Sequence, residues 1–369
     1  MPSIRVLVVD DAVVIRRMLT DILTEDPDIE VVGTAPNGRI AMAKVKQVNP
    51  DILTLDVEMP EMDGLQTLRA LRAEGHRQPV IMFSTMTEKA AATTLDALAA
   101  GASDYVTKPA NVGSVVEAKQ RVREQLIPKI KALSPNVVAP RHAPRLTRPA
   151  TTATTSRPAP VPPQAAQQAA AGRVDCVAIG VSTGGPNALT TLFRALPSNF
   201  PVPIVMVQHM PPVFTQQLAV RLSSVSTLEV CEGATGRQLR PGHAALAPGD
   251  NHMEVVRTGG NVILQLHKGP PENSCRPATD VLFRSVAAVY GPRALAVVLT
   301  GMGYDGLNGV RHITERGGRA IVQDRASSVV WGMPGAVAEA GLADRILPLD
   351  GISGEIVRRV QVGRGAAVR

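Results

Sequence analysis

The chain has 369 residues, a formal net charge of +7 and only 2% aromatic residues. This length suffices for about two domains, and the scarcity of aromatic side chains means that their cores are aliphatic. No stretch approaches the ~18 uninterrupted apolar residues of a membrane span, and the N-terminus lacks a basic and then apolar signal. We therefore expect a cytoplasmic protein that is not inserted into a membrane.

The positive charge is unevenly distributed. Residues 1–127 carry a net charge of −4, residues 128–172 carry +6 and residues 173–369 carry +5. A nucleic-acid surface would combine basic with aromatic residues, and the basic stretches here lack aromatic residues, so we predict no nucleic-acid partner. The cysteines lack the spacing of metal ligands, which argues against a zinc site, and we interpret them as small buried or neutral residues: Cys176, Cys231 and Cys275.

Residues 1–127 alternate short apolar runs with segments of helical periodicity. The runs predict strands at Ile4–Val9, Ile29–Gly33, Ile52–Leu55, Val80–Phe83 and Tyr105–Thr107. Five βα units of this kind predict a flavodoxin-like domain, in which a doubly wound parallel sheet carries helices on both faces.

The carboxyl ends of these strands carry unusual side chains. Asp10 and Asp11 end the first strand and Asp56 ends the third, while Ser84 and Lys108 end the fourth and fifth. One aspartate alone would pass as a helix N-cap. Because the ends of parallel strands meet at one sheet edge, three carboxylates gathered there need a cation, and their hard oxygen ligands suit Mg²⁺.

Four motifs in this region, VVDD, LDVEMPEMDGL, ST and DYVTKP, resemble the receiver domain of two-component response regulators. The resemblance implies that Asp56 accepts a phosphoryl group from a histidine kinase and that Lys108 pairs with the phosphoryl oxygens. Ser84 is the expected switch residue that bonds the new phosphoryl group. Its competitor is Thr85, and Ser84 is favoured because it directly follows the strand. The implied Mg²⁺ ligands are Asp10, Asp11, Asp56 and the backbone carbonyl of Glu58.

Residues 128–172 differ from the rest of the chain in composition. The segment from Leu126 to Gly172 contains nine prolines and neither aromatic nor acidic residues. Such a segment cannot bury enough apolar surface to offset its ordering entropy. We expect a flexible linker without fixed structure from about 133 to 171, whose length puts tight packing of the first domain on the second in doubt.

Residues 173–369 again alternate apolar runs with helical segments. Strands are predicted at Cys176–Val181, Pro203–Val207, His243–Ala247, Ala294–Thr300 and Ala320–Val322. The stretch Met253–His267, interrupted by Thr-Gly-Gly-Asn, predicts an antiparallel hairpin at an edge. We expect a second α/β domain with a mostly parallel sheet.

Ser182 ends the first of these strands on a glycine-rich turn, STGGP, that leads into a helix. Such a turn can hold a serine nucleophile with its oxyanion site, but it can equally hold a phosphate or be a plain turn. His209 follows the second strand and Asp305 follows the fourth, so the three could converge as nucleophile, base and orienting acid. Asp324 also ends a strand and is the rival acid. We favour Asp305 because the Gly-Met-Gly turn before it allows close backbone approach.

The order Ser, His, Asp differs from the Ser, acid, His order of α/β-hydrolases, so the G-x-S-x-G match at the serine is coincidental. The motifs IGVSTGGP, QHMPPVFT, APGDNHM, RPATDVLFRS, LTGMGYDG and SSVVWGMPGAV are instead similar to the catalytic domain of the CheB family of chemotaxis response regulators. These are protein-glutamate methylesterases and glutamine deamidases. The implied catalytic residues are Ser182, His209 and Asp305. The implied neighbours of the oxyanion are Thr183, Gly184 and Met302.

The resemblance implies a phosphorylation-regulated serine hydrolase. Its substrates would be glutamyl methyl esters and glutamines on methyl-accepting chemotaxis receptors, its products methanol or ammonia, and its only cofactor the Mg²⁺ of the receiver. The unphosphorylated receiver would cover the esterase cleft. One rival is a DNA-binding output, which would need a reading helix that the strand-rich second half lacks. Another is an esterase of this family that acts on a different methylated or amidated partner.

Overall fold

The computed structural model describes residues 3–109, 114–134 and 172–364. The linker was predicted as residues 128–172, and its central part, residues 135–171, lies outside these ranges. The strands of the first part are β1 Ile4–Val9, β2 Ile29–Ala35, β3 Ile52–Asp56, β4 Val80–Ser84 and β5 Asp104–Thr107. The helices of the first part are α1 Val13–Thr24, α2 Gly38–Val48, α3 Gly64–Ala73, α4 Glu88–Ala99 and α5 Val115–Leu133.

The first part is one parallel sheet in the order β2-β1-β3-β4-β5. The predicted receiver-like architecture is therefore confirmed. The inner strands β1, β3 and β4 are buried on both faces, which explains their almost continuous apolar sequences. The central strands β1 and β3 are neighbours, so Asp10 and Asp56 come from adjacent strand ends.

Helix α5 ends at Leu133, beyond the boundary expected at residue 127, although Pro128 lies inside it. The additional turn is held because Ile130 is fully buried and the following lysine pairs with two aspartates. Lys129 Nζ also donates to the Tyr105 carbonyl at 2.7 Å. Packing and ion pairs thus outweigh the loss of one helix hydrogen bond at the proline.

The second part contains nine strands and six α-helices within the described residues. Its strands are β6 Cys176–Val181, β7 Ile204–Gln208, β8 Glu229–Glu232, β9 His243–Leu246, β10 His252–Thr258, β11 Asn261–His267, β12 Ala294–Val298, β13 Arg319–Gln323 and β14 Arg345–Leu347. Its helices are α6 Gly185–Arg194, α7 Pro212–Val225, α8 Thr279–Tyr290, α9 Leu307–Glu315, α10 Met333–Glu339 and α11 Leu349–Gln361.

Seven of these strands form a parallel sheet in the order β14-β13-β12-β6-β7-β9-β8. The predicted α/β fold and the hairpin are confirmed, but β10 and β11 form a two-stranded sheet of their own instead of an edge of the large one. Strands β8 and β14 were not predicted, because both are short and carry charged or exposed residues. No helix in the described ranges is both long and apolar enough to cross a membrane.

The two parts pack directly against each other through α4 and β5 of the first part and α6 and α7 of the second. The ring of Tyr105 stacks on Phe214, with centroids 4.5 Å apart. Arg221 pairs with Asp96 at 2.6 Å, and Asn187 Nδ2 donates to a backbone carbonyl of α4 at 2.7 Å. One cluster of buried apolar side chains has members from both parts, so a long linker is compatible with close packing.

Candidate functional site

The Ser182 turn is fixed by two backbone hydrogen bonds and one from a side chain. The Ser182 N–H donates to the Thr300 carbonyl at 3.0 Å, and the Ser182 carbonyl accepts from Gly185 N–H and Gln208 Nε2 at 2.8 and 3.0 Å. Gly184 has φ 79, and a Cβ there would lie 2.6 Å from a neighbouring valine methyl group. The turn therefore requires glycine at this position, and its rigidity positions the serine at the amino end of α6.

The structure brings His209 and Asp305 together, with 2.7 Å between His209 Nε2 and Asp305 Oδ2. The Asp305 carboxylate also accepts the N–H groups of Thr279 and Asp280, the first residues of α8, at 2.6 and 3.1 Å. Burial raises the pKa of Asp305, but the hydrogen bonds from His209 and from α8 more than offset it and bring the pKa to about 2. Asp305 is therefore an ionised acceptor.

Because Asp305 occupies Nε2, the other ring nitrogen of His209, Nδ1, is the one available to a reacting group. Cys275 Sγ lies 3.6 Å from this Nδ1. Burial lowers the pKa of His209, but the hydrogen bonds with Asp305 and Cys275 prevail and hold it well above its usual range. Ser182 Oγ makes no hydrogen bond to a described residue, so the serine and His209 Nδ1 must approach each other in the reacting complex, as is common in unliganded enzymes.

The sheet order explains why three residues so far apart in sequence meet. Strands β12, β6 and β7 are neighbours, and Asp305, Ser182 and His209 follow them in that order. The rival Asp324 is engaged elsewhere, since it accepts from the backbone N–H and hydroxyl of Ser327 at 2.9 and 2.7 Å.

The remaining predicted neighbours of the serine are also located. Thr183 is buried, and its hydroxyl donates to Asp104 Oδ2 of the first part at 2.8 Å. Met302 lines the cavity in front of the serine. Cys275, interpreted from sequence as a small buried or neutral residue, instead lines this cavity beside His209. Its role could not be inferred from the sequence, because it lies in a loop without motif spacing.

The cavity, of about 880 Å³, lies between the two parts of the chain. The second part contributes Ser182, His209 and Cys275 to its wall, and the first part contributes Tyr105 and Lys108. A substrate must therefore reach the serine past residues of the receiver-like domain.

A second polar site lies at the carboxyl edge of the first sheet. Lys108 Nζ is 2.9 Å from Asp10 Oδ2 and 2.8 Å from Asp56 Oδ2. These two oxygens are buried, and neither has a hydrogen bond of good geometry in the described structure. Burial and the charge of Asp10 raise the pKa of Asp56 to about 6, although Lys108 lowers it. The site thus concentrates negative charge that one lysine does not fully compensate.

Two groups of side chains within the described residues bring potential metal ligands within 4.8 Å of one another: Asp10, Asp11 and Asp56, and His209, Cys275 and Asp305. The first group offers carboxylate oxygens with unused lone pairs, and such a donor set fits Mg²⁺. In the second group Asp305 and Cys275 contact different nitrogens of the imidazole, which is the geometry of a hydrogen-bonded chain.

Ser84 is fully buried beside the acidic site. Its hydroxyl donates to the Thr85 carbonyl at 3.2 Å and accepts from Thr94 Oγ1 at 2.8 Å. The backbone N–H of Glu58 donates to Asp56 Oδ1 at 3.4 Å. To bond a group added to Asp56, the Ser84 hydroxyl would have to leave its present partners.

Replacing Asp56 by asparagine should stabilise the protein above pH 6. The pKa of Asp56 is raised in the folded state, so the ionised carboxylate destabilises the folded protein. This loss of stability is complete above about pH 6 and absent below about pH 4, where the carboxyl group is protonated in both states. We expect Asp56→Asn to increase the free energy of unfolding by about 3 kcal/mol at pH 8. Urea unfolding at pH 8 and pH 4 measures this, with the exposed Asp11→Asn as control. An equal effect of Asp56→Asn at both pH values would contradict it.

Both parts of the chain match known protein families. Residues 177–356 match the CheB methylesterase family, and residues 6–120 match the response regulator receiver domain. A protein-glutamate methylesterase/protein-glutamine glutaminase of Nocardioides sp. is 55% identical over 100% of this chain and 98% of its own length. The protein of the same description in Trichodesmium erythraeum is 52% identical over 98% of this chain and 100% of its own.

Among solved structures, the CheB methylesterase catalytic domain of Thermotoga maritima is 43% identical, with a TM-score of 0.50. It aligns with 51% of this chain and 99% of its own. Since full-length relatives and both domain families agree, the chain belongs to the CheB family of response-regulator protein-glutamate methylesterases/protein-glutamine glutaminases.

Proposed function

We propose that the chain hydrolyses γ-glutamyl methyl esters, and deamidates glutamines, on the cytoplasmic helices of methyl-accepting chemotaxis receptors, with Ser182 as nucleophile. Its family gives the activity, protein-glutamate methylesterase and protein-glutamine glutaminase. The observation that supports the residue roles is the His209–Asp305 contact of 2.7 Å, in which His209 lines the same cavity as Ser182.

In the acylation step, His209 Nδ1 accepts the proton of Ser182 as Oγ attacks the side-chain carbonyl carbon. Asp305 stays ionised, holds the proton on Nε2 and stabilises the imidazolium that forms. The proton on Nδ1 then passes to the leaving group, which departs as methanol from an ester or as ammonia from glutamine. The product of this step is a glutamyl ester of Ser182.

In the second step, water attacks the acyl-enzyme. His209 takes a proton from the water, and the tetrahedral intermediate collapses to glutamate with Ser182 Oγ as leaving group, which recovers its proton from Nδ1. The atoms balance because one water is consumed and one methanol or ammonia is released.

The oxyanion of both intermediates needs hydrogen-bond donors that are not already used. The backbone N–H groups of Thr183 and Gly184 donate no hydrogen bond to any described residue, and both lie at the amino end of α6 beside the serine. We assign the oxyanion site to this turn, with Met302 as a wall of the cavity.

We assign phosphorylation to Asp56, with a histidine kinase as donor. Asp10, Asp11, Asp56 and the carbonyl of Glu58 would hold Mg²⁺, which when bound neutralises charge on the transferring phosphoryl group. Lys108 already faces Asp56 and Asp10, so its ammonium can pair with phosphoryl oxygens. The Ser84 hydroxyl would exchange its present partners for the phosphoryl group and carry the change into α4.

We infer that the unphosphorylated receiver inhibits the esterase by lying over its cavity. The hydrogen bond from Thr183 to Asp104 and the stacking of Tyr105 on Phe214 support this, because both contacts lie beside the serine turn. Helix α4, next to Ser84, forms part of the same interface. A cytoplasmic location agrees with these partners.

The nucleophile and the phosphorylation control can be tested together. Methanol release from methylated receptor membranes is measured with the full chain and with Ser182→Ala, each with and without a small acyl phosphate and Mg²⁺. We expect release that requires Ser182 and rises with the acyl phosphate, while the exposed Ser224→Ala behaves as wild type. No release by the wild type under any condition would overturn the assignment of these receptors as substrates.

The contact between Cys275 and His209 predicts a shift in pH dependence. His209 acts as base only when neutral, so kcat/KM should rise with pH as the imidazolium loses its proton. Cys275 contributes to the raised pKa of His209, so Cys275→Ala should lower that pKa and move the rise to lower pH. We expect kcat/KM about threefold higher at pH 7. Cys231→Ala, which removes a distant thiol, is the control, and an unmoved profile in Cys275→Ala would contradict the prediction.

A further inference from the structure

The loop before α8 contains a tight turn whose side chains face the candidate site. The backbone N–H groups of Glu272 and Cys275 each donate to the carbonyl of the other, at 3.0 and 2.9 Å. The two residues between them, Asn273 and Ser274, have φ 52 and 62. Asparagine adopts this left-handed backbone more readily than most residues, so the turn geometry by itself favours an asparagine at the first of these positions.

The turn is anchored to the domain on both sides. Glu272 forms a bidentate ion pair with Arg284 of α8, at 2.5 and 2.6 Å, and this pair lowers the pKa of Glu272. On the other side, Arg276 Nε donates to Asp250 at 3.0 Å. The turn is therefore a rigid support rather than a loosely held loop.

The Asn273 amide uses both of its hydrogens on carboxylates. Asn273 Nδ2 donates to Asp305 Oδ1 at 2.8 Å and to Asp280 Oδ2 at 2.9 Å. The other oxygen of Asp280 accepts the N–H groups of Gly306 and Gly309, at the start of α9, at 3.0 and 2.6 Å. Asp305 precedes α9 and caps α8, whereas Asp280 belongs to α8 and caps α9.

This reciprocal arrangement places two carboxylates close together, and both are almost fully buried. Burial and the nearby charge of Asp305 raise the pKa of Asp280. Among the described side chains, Asn273 is the one that donates to both carboxylates. Without it, Asp305 Oδ1 would keep one donor, the N–H of Asp280, and would face a like charge without a bridge.

We propose that Asn273 is a positioning residue of the hydrolase. Its amide fixes the plane of the Asp305 carboxylate, so that Oδ2 remains on His209 Nε2 and leaves Nδ1 for the proton of the serine. The inference rests on the proposed roles of Ser182, His209 and Asp305. Asn273 acts through Asp305 and is not required to touch the substrate.

Asn273→Gly tests this with little backbone cost, because glycine adopts a left-handed backbone readily. With the full chain activated by acyl phosphate and Mg²⁺, we expect kcat for methanol release to fall about 10- to 100-fold while KM stays unchanged, since the base is misoriented. The control is Asn49→Gly, which replaces an asparagine with φ 41 at the end of α2, far from the hydrolase. It should retain the wild-type kcat.

Asn273→Asp provides a readout that a purely structural role would not move. The new carboxylate would face Asp280 and Asp305, whose charges raise its pKa, and only its protonated form can donate a hydrogen bond. The activity of Asn273→Asp relative to wild type should therefore decrease as pH rises. The relative activity of Asn273→Gly should not follow this course, because glycine does not titrate.

Ser182→Ala, measured in parallel, separates this inference from the proposed function. If Ser182→Ala is inactive and Asn273→Gly keeps the wild-type kcat, the role of Asn273 is wrong and the proposed function stands. If Ser182→Ala retains activity, the proposed function itself fails. A constant activity ratio of Asn273→Asp to wild type across pH would also overturn the positioning role.

Discussion

Asp305→Asn should reduce kcat for methanol release by about 10⁴-fold, the size of effect expected for the aspartate of a Ser-His-Asp triad. Asp305 accepts from His209 Nε2, and this fixes the proton on that nitrogen. An amide that turned its NH₂ group toward Nε2 would favour the opposite tautomer. His209 Nδ1 would then carry the proton and could not accept the one on Ser182.

The matched control is Asp324→Asn, which alters the other aspartate that ends a strand of the same sheet. Asp324 bonds Ser327 and has no contact with His209, so we expect less than about a tenfold loss. Circular dichroism and thermal unfolding establish that both variants fold. A large loss in Asp324→Asn combined with a small one in Asp305→Asn would contradict the assignment.

Tyr105→Ala should raise the activity of the unphosphorylated full chain by about tenfold or more. The tyrosine ring is buried against Phe214 of the hydrolase, and Lys129 Nζ lies 5.2 Å from its centroid. Losing an aromatic stack and its buried area weakens the interface by roughly 2 kcal/mol or more, which favours the undocked form. Because the substitution lies in the receiver, the hydrolase itself is unchanged, and the fully phosphorylated rate should stay as in wild type.

Val106→Ala is the control for a general loss of receiver stability. Val106 is the next residue of β5 and packs into the receiver core, in a cluster that does not include Phe214. We expect its basal rate to equal that of wild type. Equal activation by Val106→Ala and Tyr105→Ala would show that unfolding of the receiver, and not the Tyr105–Phe214 contact, releases the enzyme.

Much of this architecture could be predicted because parallel sheets bury their strands and expose chemistry at strand ends. The apolar runs predicted β1 and β6 with correct bounds. The polar residues that follow these strands, Asp10 and Ser182, lie at the acidic site and at the cavity, respectively. Ser182, His209 and Asp305 follow three strands that prove to be adjacent. Strand order is a tertiary property, so the sequence pattern could suggest their convergence but could not demonstrate it.

The site residues that the sequence did not predict lie in a turn, where hydrophobic periodicity carries no information. Asn273 and Cys275 belong to a turn between a hairpin and a helix, and they reach Asp305 and His209 only through the fold. The extension of α5 past Pro128 was missed because tertiary ion pairs support it against a local helix-breaking signal. The interface formed by Tyr105 was missed because a single aromatic residue in a strand is also typical of a core.

The central claim is that phosphorylation of the receiver controls access to a nucleophilic Ser182. It is tested most directly by mass spectrometry of the full chain treated with a fluorophosphonate, with and without acyl phosphate and Mg²⁺. We predict one adduct, on the peptide that contains Ser182, formed several-fold faster after phosphorylation, and slow labelling of Asp56→Asn under both conditions. An adduct on another residue, or a labelling rate that phosphorylation leaves unchanged, would contradict the account.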